Sequence, residues 1–448
     1  MLPDVTLPAS LAGLLWVLRP VFTEPSFATF CGLVAGLAGR VRRRTVCGML
    51  LGAWLGRCWP HDRAHYFFAR ACWEVDELGL AVARLVVGLL VPAGEAVTVA
   101  VDDSVFRRAG RKVFGACWQH DASAPGRVKA SFGTCFVTCG IVVRLPFCTR
   151  PVCLPVLARL YIPGQGTPRA PRRGGVVVVP GSKVAVAAAL VRALAGALPG
   201  RAIHVVGDAA YHGPALRHLP PQVTWTCRLP KNAVLHALPP PRAPHTRGRP
   251  RSKGPRLGTP AQVAATAHWD AATVRIYGRA QTTQLTQTDC LWYGSFHTRP
   301  VRMILARTPA ATLALITTDL ASTPAALIQR YAARWSIEQA FADARTVLGA
   351  GEARTRAPRS VARTVPFALL THTLIVIWYA HHGHDPADIT ARRAAQPWYA
   401  TKTEPAFEDM LTKLRRTMIT ARISAGSAAT PTPAQTQAVL AAWHAAAA

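Results

Sequence analysis

Acidic side chains are scarce in this sequence. It holds 22 Asp and Glu against 52 Lys and Arg, a formal net charge of +30. Between Asp121 and Asp270 the only acid is Asp208. Such an excess of positive charge points to a polyanionic partner, with nucleic acid first and an anionic membrane surface second. No C-x2-C pair occurs among the 11 cysteines, so the spacing of a zinc site is missing. Their odd count and their scatter through apolar runs read as free thiols of a reducing cytoplasm. The N-terminus lacks the basic region of a secretory signal. Long unbroken apolar runs are missing too. Leu85–Val101 is interrupted by Pro92, Gly94 and Glu95, and Val365–Ala380 is short and contains Pro366 and His372. No membrane span is expected. What is present is a 448-residue chain, half of it hydrophobic, which suits two or three domains and excludes overall disorder.

Residues 1–94 read as a helical N-terminal unit, with breaks at Pro20, Pro25 and Pro60 and a basic patch at Arg40–Arg44. A helix is expected over Thr45–Gly56, and another from His65 to Leu90. The unit is either a DNA-end reader or a structural cap. From residue 95 the pattern turns to strands. VTVAVDDS, VFGACWQHD and ASFGTCFVTCGIVVRL read as three, SKVAVAAALVRALAGAL as a helix, and RAIHVVGDAAYHG as a fourth strand. The order is β-β-β-α-β over residues 95–222, with Asp102 closing the first strand and Asp208 the fourth. Residues 223–320 read as β-rich, through VTWTCRL, ATVRIYG, DCLWYGS, VRMILAR and TLALITTDL. A Pro- and Gly-rich basic loop, 239–258, interrupts them. Residues 321–385 carry helices, and 386–448 a further helical region and a weakly ordered tail.

The stretch YAARWSIEQAFADAR, within a run read as one long helix, carries Tyr331, Arg334, Glu338 and Arg345. At about 100° per residue, these four fall within roughly 60° of one another. Ile337, Phe341, Ala344 and Leu348 flank the stripe on one side, Ile328 and Trp335 on the other. A narrow polar stripe between apolar shoulders fits a packed helix looking into a site. The residues alone leave open a plain Arg334–Glu338 i,i+4 pair on a solvated face. Asp102, Asp208 and Glu338 brought together would make an oxygen-rich site for a hard cation such as Mg²⁺, and two such ions suit phosphodiester chemistry. Pairing of each carboxylate with Arg is the alternative.

Three motifs carry a family resemblance. VAVDDS, VVGDAAYHG and the spacing Y-x2-R-x3-E-x6-R resemble those of bacterial insertion-sequence transposases of the DDE type, in the subgroup with a Y-R-E-K signature. Arg345 stands where that signature has Lys. The resemblance spans roughly residues 95–385. It implies an α/β, RNase H-like catalytic core built from 95–222 and 321–385, with 223–320 as a β-rich insertion domain. Asp102, Asp208 and Glu338 become the catalytic, metal-binding triad for two Mg²⁺ ions, with Mn²⁺ as a substitute. Asp102 rather than Asp103 follows from the D-x-S register. Tyr331, Arg334 and Arg345 would grip DNA phosphates. The implied activity cuts the ends of an insertion sequence and joins them to target DNA. The implied partners are double-stranded DNA and a second copy, as a homodimer on DNA, in a bacterial, nucleoid-associated cytoplasmic setting. An inactive DNA-binding descendant and a structure-specific nuclease remain as alternatives.

Other stretches read more plainly. Arg247, Arg249 and Arg251 lie in an R-G-R-P-R sequence that resembles a minor-groove hook, with nonspecific phosphate contact as the simpler reading. Trp225 and Trp292 read as core residues more readily than as base-stacking platforms. His381, His382 and His384 read as a polar helix end rather than a metal cluster. Arg228 is a weak candidate for DNA contact, and His120 with Asp121 reads as a turn or salt bridge.

Overall fold

The structure is a computed structural model that describes residues 6–121, 124, 127–169, 177–241, 249–276, 278–307, 312–426 and 432–439. Five helices come first: α1 (Ala9–Trp16), α2 (Glu24–Gly39), α3 (Val46–Gly52), α4 (His61–Ala69) and α5 (Val75–Leu90). Then come β1 (Val97–Arg107), β2 (Cys117–His120), β3 (Ala130–Val143), β4 (Val152–Tyr161), the short β5 (Thr167–Arg169) and β6 (Val177–Val179), α6 (Lys183–Ala197), β7 (Ile203–Gly207) and β8 (Val223–Arg228). The middle of the chain gives β9 (Leu235–His236), β10 (Arg256–Gly258), α7 (Pro260–Thr266), β11 (Asp270–Ile276), β12 (Arg279–Cys290), α8 (Tyr293–Phe296), β13 (Val301–Arg307) and β14 (Thr312–Thr317). It closes with α9 (Pro324–Ala333), α10 (Ser336–Thr346), α11 (Pro358–Trp378), α12 (Ala387–Ala395) and α13 (Phe407–Gly426).

One ten-stranded mixed sheet organises the molecule, ordered β11-β12-β13-β14-β8-β7-β1-β3, with β2 and β4 sharing the far edge of β3. Among the described residues, only β1–β7 and β7–β8 are parallel pairs. Within it, β4-β3-β1-β7-β8 is the expected RNase H-like core, and the first and last strands of the β-β-β-α-β run do lie side by side. β4 has no counterpart among the strands expected from the sequence, because Pro155 lies inside it and the turn residues Thr149–Pro151 run straight into it. Pro155 lacks an N–H, so it suits a sheet edge. That edge is covered by α11, where the Thr373 hydroxyl donates to the Pro155 carbonyl at 2.6 Å. Asp208 therefore follows a later strand than the fourth. Residues 223–320 continue the same sheet: β8 pairs with β7, and β14 to β11 extend it outward. The expected strand DCLWYGS stops at Cys290, and Tyr293–Phe296 turns helical. The basic loop 239–258 ends in β10, which pairs with β9.

The two faces of β1 are covered by different helices. Phe106 meets Phe341 of α10 edge-on at 6.5 Å. Residues of the other parity face α6, through Asp103 and Lys183. The segment expected as one helix from His65 is two, α4 and α5, parted around Trp73. Arg363 of α11 is 2 % exposed and donates to the carbonyls of Phe67, Phe68, Ala71 and Trp73. A buried guanidinium needs such acceptors, and these four fasten the N-terminal helices to α11. Arg415 of α13 does the same for the end of α2, through Ala38. The N-terminal unit thus packs as part of the body. Helix Pro358–Gly383 is long and apolar enough to cross a membrane by composition, but 94 % of its apolar window is buried in the fold. His381 and His382 lie in its terminal turn, and His384 stacks on Phe147. Most of the tail lies outside the described residues.

Candidate active site

The β1–β7 register pairs Val97 with Ile203 and Ala100 with Val206. Carried two residues on, it sets Asp102 level with Asp208, on neighbouring strands about 4.8 Å apart. Residues level in a parallel pair point to the same face, and the two carboxylates are near enough for the Asp208 charge to act on Asp102. Asp208 sits in the turn after β7, where its Oδ1 accepts from the Ala210 N–H at 2.8 Å. Burial pushes the Asp102 carboxyl up to about 7, Arg334 works against this, and Asp208 adds to it.

Glu338 faces them from α10, on the side of β1 that carries Asp102, Ser104 and Phe106. The expected single helix is broken here. α9 stops at Ala333 and α10 starts at Ser336, and around the junction the bonds run i→i−3: Arg334 to Tyr331, Trp335 to Ala332, Ile337 to Arg334 and Glu338 to Trp335. This tight turn lets α9 pack on one apolar cluster, with Leu327 and Ile328, and α10 on another, with Ile337, Phe341, Ala344 and Leu348. Trp335, expected as an apolar shoulder, is exposed at 54 %. The tight turn carries Arg334 inward. Its Nη1 lies 2.6 Å from Asp102 Oδ2 and its Nη2 3.4 Å from Glu338 Oε1. Burial opposes the Arg334 charge, yet Asp102, Tyr331 and Glu338 together hold its pKa above the usual value. Burial raises the Glu338 pKa, against the pull of Arg334. The Tyr331 ring lies 5.8 Å from the Arg334 guanidinium, and burial raises its pKa. Arg228 adds positive potential at Tyr331.

Asp103 points the other way, as the D-x-S register requires. It accepts from Lys183 Nζ at 2.6 Å, Tyr211 Oη at 2.9 Å and Cys135 Sγ at 3.3 Å. Tyr211 in turn accepts at its carbonyl from Trp225 Nε1 at 3.0 Å. Asp103, Tyr211 and the fully buried Trp225 thereby brace the turn that presents Asp208. Trp225 and Trp292 are both buried, which supports the core reading. Lys183 was missed in the sequence, since a Lys opening a helix carries no motif. Also missed was Asp319, 4 % exposed, which accepts from the Ala321 and Ser322 N–H groups, the Ser322 hydroxyl and Arg330 Nη1. It ties α9 to the end of β14. Its pKa is pulled well below the usual range, because these bonds outweigh burial.

Arg345 lies two turns beyond Glu338. Its Nη1 donates to Ser104 Oγ at 2.7 Å, so it does not join the carboxylate group. Asp121 accepts from Ser131 Oγ at 2.7 Å. Arg249 and Arg251 are exposed, and Arg247 lies outside the described residues.

The donors fit a hard divalent cation in kind, since all three are carboxylates. Among the described residues, no group of three His, Cys, Asp or Glu side chains is close enough to enclose one as it stands. Arg334 fills the space between Asp102 and Glu338 with positive charge. A search of curated proteins returned no match. A family described as DDE superfamily endonuclease matches residues 18–299, a stretch that includes Asp102 and Asp208 and ends before Glu338. That match takes in more than half of the chain, and with the RNase H-like sheet it identifies a nuclease- or transposase-type enzyme: the chain belongs to the DDE superfamily endonuclease family.

Proposed function

We propose that this chain is a metal-dependent DNA transposase, which cuts the ends of an insertion sequence and joins them to target DNA by phosphodiester hydrolysis and transesterification. The observation that supports the reading is the placement of Asp102 on β1 and of Asp208 just past the end of its parallel neighbour β7, with Glu338 facing Asp102 across Arg334. Asp102, Asp208 and Glu338 would hold Mg²⁺, with Mn²⁺ as a substitute. When bound, such cations polarise the scissile phosphate and stabilise its leaving oxygen. Arg334 keeps the carboxylates neutralised at rest and is released to a DNA phosphate when they are neutralised otherwise. Tyr331 orients Arg334, and Arg345 holds the backbone further along α10. Asp103, Lys183 and Tyr211 keep the Asp208 turn in place. Arg247, Arg249 and Arg251 would add contacts from the basic loop, and two copies would bring two element ends together.

The test is an excision and strand-transfer assay with Mg²⁺ on wild type, Asp102→Ala, Asp208→Ala and Glu338→Ala. Loss of both steps in all three variants is expected. Full activity in any one removes that residue from the site. Cleavage without joining would assign a structure-specific nuclease instead.

A further inference from the structure

Beside the carboxylates opens a second feature, a cleft of 1210 Å³. Its walls come from four separated parts of the chain: the turn before α3, the end of β1 with the loop after it, Asp121 after β2, and the end of α10 with the segment leading to α11. Eight cationic side chains line it against two acids, Asp121 and Glu352. Glu352 is already held by Arg44, through the backbone N–H at 2.8 Å and the guanidinium at 3.5 Å. Arg107, Arg111 and Arg354 reach into solvent at its rim.

Two of its lining residues each carry a buried polar atom without a partner among the described residues. Arg108 is 8 % exposed. Its Nη1 donates to the Gly351 and Ala353 carbonyls, both at 2.7 Å, while Nη2 is buried and unbonded. Thr355 is 7 % exposed and its Oγ1 is likewise unbonded. Buried donors left unpaired cost free energy. Two of them just beneath the lining of a basic cleft fit an anionic oxygen that draws them out and completes the site.

We infer that this cleft binds the phosphate backbone of a DNA duplex, with Arg108 and Thr355 seating one phosphate and Arg107, Arg111 and Arg354 holding its neighbours. The inference rests on the DNA-cutting reading and says where the uncut part of the substrate lies. Arg345 joins the two places, since it lines the cleft and bonds Ser104, two residues beyond Asp102. It stands seven positions after Glu338. That is about 10.5 Å along a helix, close to three base-pair steps of about 3.4 Å. A duplex with one strand at the carboxylates and its backbone running along α10 enters the cleft about three base pairs on.

The experiment measures binding of a fluorescent duplex of arbitrary sequence to the full-length protein, without divalent cation, over a salt series. The triple variant Arg107→Ala, Arg111→Ala, Arg354→Ala should flatten the slope of log affinity against log salt by about 2.7, at ~0.9 per lost phosphate contact. Thr355→Val should weaken binding several-fold with the slope unchanged, because no charge is lost. It should also leave thermal stability equal or higher, since it removes an unbonded buried hydroxyl; a purely structural threonine would lose stability instead. An unchanged slope in the triple variant overturns the cleft assignment, and unchanged binding in Thr355→Val overturns the phosphate seat. Glu338→Gln separates this inference from the catalytic one. If that variant still cuts DNA while the triple variant binds poorly, the carboxylate assignment fails and the cleft stands.

Discussion

Arg334 Nη1 rests 2.6 Å from Asp102 Oδ2, inside a site whose other two acids carry the same charge as Asp102. The guanidinium does the electrostatic work that a bound cation would do. Removing one partner of a buried pair leaves the other uncompensated. Arg334→Ala should therefore lower the unfolding free energy by on the order of 3 kcal/mol. If the carboxylates accept Mg²⁺, the ion should restore part of that loss. Urea titrations with and without Mg²⁺ check both statements. A variant as stable as wild type would mean that the pair contributes nothing.

The two adjacent aspartates should separate cleanly. Asp102→Asn is expected to abolish cleavage while changing stability little, because relief of the burial penalty on the carboxylate offsets the anion lost to Arg334, which keeps Glu338 and the amide oxygen as acceptors. Burial drives the Asp102 pKa up to about 7, so the fold disfavours the charged form above the ordinary carboxylate pKa, and a neutral amide relieves this. Asp103→Asn should do the reverse. It leaves the Lys183 ammonium half-buried without its anion, at a cost of about 2 kcal/mol, and it retains measurable cleavage. Denaturation midpoints and cleavage rates for the pair decide the matter. Equal loss of cleavage in both would undo the distinction between them.

Glu338→Gln preserves shape and can still accept from Arg334. If the carboxylate takes part in phosphoryl transfer, its loss should remove several kcal/mol of transition-state stabilisation, about 10³-fold in rate. Single-turnover cleavage under saturating DNA reads this directly. A loss below tenfold would argue for a supporting residue instead.

Asp319 sets an acid limit on the fold. Its folded pKa is depressed, so its stabilising contribution is fully present above the unfolded carboxylate pKa, near 4, and is lost as pH falls through the folded value. Asp319→Asn should cost about 2 kcal/mol at neutral pH. Its deficit against wild type should shrink as pH falls below about 4. Thermal unfolding across that range tests the sign, and a deficit that grows with acidity would contradict it.

Much of the carboxylate site was legible because its chemistry is rare in this chain. Asp208 stands alone among acids over a long stretch, and Asp102 closes a β-branched run. The spacing of Tyr331, Arg334 and Glu338 was legible as well, although the straight helix that suggested it was not. Sequence periodicity continues through a tight turn of three or four residues, so the break at Arg334 leaves no mark. The outer strands were visible as strands, but not their place in one sheet, since pairing between distant segments has no local signature. Pro155 hid β4 for a related reason, because a proline looks like a break unless one knows that its strand lies at an edge. The cleft was illegible altogether. In a chain with 52 basic residues, Arg107, Arg108, Arg111 and Arg354 are ordinary until the fold gathers them.

The tight turn between α9 and α10 has a mechanical consequence. α9 belongs to the outer strands, through Val274, Leu285 and Ile304, whereas α10 belongs to the central core, through Phe341 and Leu348. Glu338 is therefore anchored to the same rigid frame as Asp102 and Asp208, while the chain leading into Arg334 is anchored to the rim. The cation that bridges Asp102 and Glu338 thus sits at the seam between the two apolar clusters.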